Sequence, residues 1–172
     1  MEIEKNESYY FQIEDFLEHK KYILESASIL IKYLLETKQD DLAFELLKRI
    51  SIHDNSKLEN EEFSLLCKIP LKKDSFINAN CNMEESLKNA IQLHWKNNEH
   101  HPEHFENIED MKEVDILEMC CDWHARSLQY HTDFLVFVKT RQENRFHFPK
   151  KMFNKIWKYC LILNKGKTTS NK

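Results

Sequence analysis

An all-α fold is predicted by two features of the chain. It has one glycine, Gly166, near its end, and three prolines, Pro70, Pro102 and Pro149. The tight turns that join strands draw heavily on glycine, and here there is none before position 166. In addition, apolar residues recur along most of the chain at three- and four-residue steps, the period of one helix face. A length of 172 residues, 41% of them hydrophobic, gives one domain with a substantial core and excludes a disordered chain. The expected architecture is a single helical domain over residues 1–164, a bundle of about six helices, with a polar, disordered tail over 165–172.

The first helix is expected over about 9–37. Phe16, His19, Ile23, Ala27, Leu30 and Leu34 form its apolar seam, so His19 faces inward. The second is expected over about 40–53, with Asp40 as N-cap and Ala43, Leu46, Leu47 and Ile50 leading to His53. A short third helix spans about 60–69, and 70–82 reads as a polar loop. Asn82 can cap a fourth helix, with Glu84 and Glu85 in its first turn. Met83, Leu87, Ala90, Ile91 and His94 form that helix's seam, and it ends before Pro102. A fifth helix is expected over about 109–139, with Val114, Leu117, Cys121, His124, Leu128, His131 and Leu135 inward. Asp122 lies at the border of that stripe, with Asp115 on the same edge. The last helix, about 150–163, turns Phe153, Ile156, Trp157 and Cys160 inward.

The charge balance is −4, from 25 basic and 29 acidic residues. It argues against a broad duplex nucleic-acid surface but not against a small anionic substrate. Five cysteines, Cys67, Cys81, Cys120, Cys121 and Cys160, have no C-x-x-C spacing and read as reduced thiols in a cytoplasmic protein. The N-terminus lacks signal-peptide character. No apolar run approaches the ~20 residues of a membrane span.

The candidate chemistry lies in the histidines and aspartates. His19, His53 and His94 sit on the inward seams of separate helices. Burying three unrelated imidazoles would leave donors and acceptors to satisfy at real cost. Asp54 and Asp122 would be expensive buried anions without a cation. A divalent ion satisfies both groups at once, and imidazole nitrogen with carboxylate oxygen is a suitable donor set. The expected metal ligands are His19, His53, Asp54 and Asp122. His94 with His101 or its neighbour His100 is available to a second ion. Other polar residues have plainer readings: His124 and His131 as core or pocket-wall histidines, Arg126 in a surface ion pair, and Trp95 and Trp123 in packing.

The order His19, then His53-Asp54, then Asp122 resembles the signature of the HD-domain superfamily of metal-dependent phosphohydrolases. The resemblance covers roughly residues 10 to 140. Its gaps look like those of the bacterial deoxynucleoside monophosphatase branch. His53-Asp54-Asn55-Ser56-Lys57 resembles the family's His-Asp-x-x-Lys variant, in which the lysine contacts a phosphate. His94 and the run Asn98-Glu99-His100-His101-Pro102-Glu103 resemble the extra histidines of dinuclear members, and the combination looks like an uncharacterised phage and bacterial branch. No Gly-Tyr-Pro motif follows the histidine pair, unlike in the cyclic-dinucleotide phosphodiesterases.

The resemblance implies one or two divalent transition-metal ions (Mn, Co, Ni, Fe or Zn). It implies hydrolysis of a small phosphoester, such as a nucleotide, with Asp54 orienting or deprotonating water and Lys57 on the phosphate. A homodimer is compatible with it, and no membrane partner is expected. Two other readings remain: an HD-type dinuclear iron oxygenase, and a non-catalytic metal-containing binding or regulatory protein.

Overall fold

The computed structural model describes residues 2–68 and 81–166. Among these the fold is all-α, with seven α-helices and no strand. They are α1 (Glu2–Glu36), α2 (Asp40–Ile52), α3 (Asn60–Leu66), α4 (Cys81–Asn97), α5 (Glu113–Gln129), α6 (Phe134–Arg141) and α7 (Lys150–Gly166). No helix among the described residues is long and apolar enough to cross a membrane. Pro70 and the tail after Gly166 lie outside the described residues.

The chain forms two compact units. The first joins residues 1–18 to 54–98. In it the start of α1 meets the end of α3: Ser8 Oγ donates to the Cys67 carbonyl at 2.7 Å, and Gln12 Nε2 to that of Leu66 at 3.2 Å. Tyr9 packs edge-on against Phe63. The second unit joins 19–53 to 99–172 and holds most of the apolar core. Ile23, Ala27, Leu30 and Leu34 of α1 are buried, as are Ala43, Leu46 and Ile50 of α2 and Ile156, Cys160 and Leu163 of α7. The inward side of α5 is nearly continuous, from Val114 to Ala125.

Several boundaries differ from expectation for local reasons. The helix expected over 109–139 is two helices. His131 adopts a left-handed backbone (φ 54°), and Asp133 caps α6 by accepting from Val136 N at 3.0 Å. His131 is therefore exposed in the break, not part of an inward stripe. Asp40 is the first helical residue of α2, not its cap; Gln39 holds that position. Leu47 is 48% exposed, because it is one position beyond Leu46 and turned about 100° from it. The helix α4 starts at Cys81, so Asn82 lies within it. The third helix stops at Leu66, and the last continues to Gly166. Cys67, Cys120, Cys121 and Cys160 are unbridged.

Candidate metal centre

In the second unit three helices bring donor atoms together. His19 comes from the seam of α1, His53 caps the C-terminus of α2, and Asp122 lies on α5. The imidazoles are essentially inaccessible and Asp122 is 8% exposed. His19 Nε2 lies 3.2 Å from His53 Nε2 and 3.1 Å from Asp122 Oδ1; His53 Nε2 lies 3.8 Å from the same oxygen. Two imidazole nitrogens and a carboxylate oxygen this close are satisfied by a hydrogen on His19 Nε2 donated to the other two, or by a metal ion between all three. The three separations define a triangle whose centre is about 2.0 Å from every corner, close to the bond length of Zn²⁺ to nitrogen or oxygen. The donor set fits a divalent ion, so this buried His/Asp group can hold one.

Glu118 completes the arrangement. Its Oε1 accepts from His53 Nδ1 at 2.9 Å and faces His100 Nδ1 at 3.4 Å. An ionised carboxylate only accepts, so His53 carries its proton on Nδ1 and presents Nε2 as a lone pair. A carboxylate behind a metal-binding imidazole is the usual means of fixing its tautomer and orientation. Glu118 is fixed in turn by Arg49, whose Nε donates to Oε2 at 2.8 Å. The same guanidinium reaches Glu99 at 2.5 Å and Asp115 at 3.3 Å.

Asp115, Glu118 and Asp122 follow one another at steps of three and four on α5. They share about 60° of the helix circumference. Asp115 is nonetheless a structural residue. Its Oδ2 accepts from Lys112 N at 2.8 Å and so caps α5. Asp122 faces the two histidines.

Burial pushes the carboxyls of Asp122 and Glu118 up, but their imidazole partners outweigh it and hold both well below the ordinary range. Those partners are His19 and His53 for Asp122, and His100 and His53 for Glu118. At Asp115 burial dominates and the pKa is raised despite Arg49 and the Lys112 amide. For Asp122 and Glu118 the folded pKa lies below the unfolded one. Their stabilisation is complete above the ordinary carboxylate pKa and is lost as pH falls from about 4. In metal-free protein the stability contributed by these two carboxylates is expected to be lost steeply below about pH 4. Circular dichroism melts test this. A midpoint that already falls between pH 7 and 5 would assign the sensitivity to the histidines instead.

Asp54, Lys57 and His94 belong to the first unit. Asp54 has a left-handed backbone (φ 58°) and begins a short 3-10 turn. Its Oδ2 accepts from Lys57 Nζ at 2.6 Å, and its Oδ1 lies 3.4 Å from His94 Nε2. His94 Nδ1 donates to Glu62 Oε1 at 2.7 Å. Burial raises the Glu62 carboxyl, but His94, Ser56 and Asn97 together leave it lowered. Asn98 donates to Ser56 Oγ and to the His94 carbonyl, tying the end of α4 to the turn. Lys57, expected on a phosphate, thus reaches Asp54.

His100 is buried, and the ring of the half-buried His101 lies tilted against it at 4.1 Å between centroids. His100 also belongs to a buried group with His53 and Glu118. His124 is a core histidine: Ser26 Oγ donates to the Tyr22 carbonyl, so His124 Nδ1 donates to Ser26 at 2.9 Å.

The sequence reading missed Glu118, Glu62 and Arg49. Glu118 had a signal, the three-four spacing of acidic residues on an otherwise apolar helix. Arg49 and Glu62 had none, being ordinary charges on amphipathic helices.

A family model described as DUF5662, a family of unknown function, matches residues 8–161. No curated protein and no solved structure matches the chain.

Proposed function

The chain belongs to DUF5662, and within that family we propose that it is a divalent-metal-dependent phosphohydrolase acting on a small phosphoester. The observation that carries this is the convergence of His19 Nε2, His53 Nε2 and Asp122 Oδ1, with Glu118 behind His53. The resemblance to the HD superfamily supports the reaction, since these residues occur in the order of its signature. A bound divalent ion would polarise a phosphoryl oxygen and lower the pKa of water. The chain's own part is to hold His53 in one tautomer through Glu118, to keep Asp122 ionised, and to surround the donors with apolar helices. The roles of Asp54 as a further ligand and Lys57 as a phosphate contact rest on the sequence pattern.

The test is metal analysis of protein purified without chelator, then a panel of phosphomonoesters and nucleotides with added Mn²⁺, Co²⁺, Ni²⁺ or Fe²⁺. About one or two ions per chain and metal-dependent phosphate release are expected. A metal-free protein that no divalent ion stabilises would end the metal reading. A second reading is favoured by the donor set itself: two histidines and one carboxylate are also the ligands of non-haem iron oxygenases. Bound iron and oxygen consumption without phosphate release would select it.

A further inference from the structure

A second cluster in the same unit has a chemistry that the metal centre does not use. The chain after α6 makes a π-helical turn, Gln142–Phe146. Gln142 pins it: Nε2 donates to the Phe148 carbonyl at 3.1 Å, Oε1 accepts from Phe148 N at 2.9 Å, and the Gln142 carbonyl accepts from His147 N at 3.1 Å. The turn closes at His147 with a left-handed backbone (φ 48°). Single π turns of this kind recur at functional sites.

Arg141 and Arg145, four residues apart, flank and enter this turn. The Arg141 guanidinium lies 4.7 Å from the centroid of Phe137, and that of Arg145 lies 5.0 Å from Phe146. Both rings pack on Trp123, Phe137 edge-on at 5.8 Å and Phe146 stacked at 5.9 Å. One buried indole, next in sequence to Asp122, therefore sets the floor under both cations.

The charges do not balance. Arg145 pairs with Glu103. Arg141 is half-buried, and its described contact is the Phe137 face. Burial and the neighbouring Arg145 lower its pKa, and Glu103 opposes this only in part. Like charges four residues apart on a helix are mutually destabilising. Here aromatic stacking holds them in place. Guanidinium N–H groups match phosphate oxygens in a fork geometry.

We propose that Arg141 and Arg145 form an anion subsite for a phosphate-bearing ligand, with Arg141 as the principal anchor and Glu103 as the group that holds Arg145 in its absence. The subsite stands whether or not the protein is a hydrolase.

The probe is inorganic pyrophosphate, titrated calorimetrically into full-length protein stripped of metal and kept in chelator. Saturable binding is expected. Arg141→Ala should weaken it by at least about tenfold, the scale of one charged hydrogen-bonding group. Arg141→Lys should restore part of the loss, and Glu103→Gln should tighten binding by releasing Arg145. His53→Ala should leave binding unchanged. Each variant is checked by circular dichroism; if Arg141→Ala does not fold, Arg141→Lys and Glu103→Gln carry the comparison. Absence of saturable binding, equal affinity in every arginine and glutamate variant, or loss of binding in His53→Ala would overturn the proposal. Arg141-dependent binding in a protein that hydrolyses no phosphoester would sustain the subsite and remove the hydrolase reading.

Discussion

In the proposed metal centre, replacing His53 with alanine is expected to abolish tight divalent-ion binding, while Glu118→Gln should weaken binding by about 10- to 100-fold without abolishing it. The difference follows from position. His53 supplies a donor atom 3.2 Å from His19 Nε2. Glu118 lies behind it and accepts the Nδ1 proton. Glutamine retains one acceptor but loses the charge that keeps His53 oriented. Competition titration with a metallochromic chelator measures both variants, and Asp122→Asn belongs in the first class with His53→Ala. If Glu118→Gln removed the ion completely while His53→Ala kept it, the roles would be reversed and Glu118 would be the ligand.

The second large effect is expected at Arg49. Its guanidinium faces Asp115 and Glu118, which are 1% and 2% exposed, and also Glu99, which is more open. Burial costs Arg49 charge stability, yet these carboxylates outweigh it and raise its pKa. Arg49→Ala leaves two buried carboxyls without their cation, a class of change that costs about 3–5 kcal/mol. Urea unfolding of metal-free protein reads the loss directly. Adding Glu118→Gln to Arg49→Ala should recover part of it, since one uncompensated charge disappears. A loss below about 1 kcal/mol, the range of exposed ion pairs, would show that water solvates the carboxyls once the arginine is gone.

The seam of α1 was legible because it obeys one rule without exception. Phe16, His19, Ile23, Ala27, Leu30 and Leu34 are all buried, as the three-four spacing requires. His19 was identified for the same reason. The border of the α5 stripe holds both Asp115 and Asp122, and only the order of the HD signature favoured Asp122. Leu47 shows where the rule is coarse: a leucine beside a seam is counted into it, although one step of rotation leaves it in water. The break at 130–133 was missed because the apolar period continues across it, while the cap signal of Asp133 is a single residue. Arg49 was illegible for another reason. An arginine on an amphipathic helix looks the same whether it meets solvent or three carboxylates from distant parts of the chain. Glu118 lies between these cases, readable from spacing once three acidic residues on one helical arc are seen to need a cation.

The scarcity of glycine, used above to assign the fold, also constrains which sequences the fold can accept. Among the described residues four corners turn with a left-handed backbone, at Lys38, Asp54, His131 and His147, and none is a glycine. A Cβ at such a corner crowds the following carbonyl by roughly 1–2 kcal/mol, so the surrounding packing holds conformations that the local chain disfavours. Asparagine, aspartate, histidine and glycine tolerate these corners, whereas a β-branched side chain or a proline does not. The corners thus act as a filter on sequence drift that is independent of the apolar seams. At Lys38, His131 and His147 it falls on exposed positions where chemistry alone would permit almost any residue. At Asp54 that filter and the side chain's bonds to Lys57 and His94 bear on the same residue, which narrows its acceptable replacements to very few.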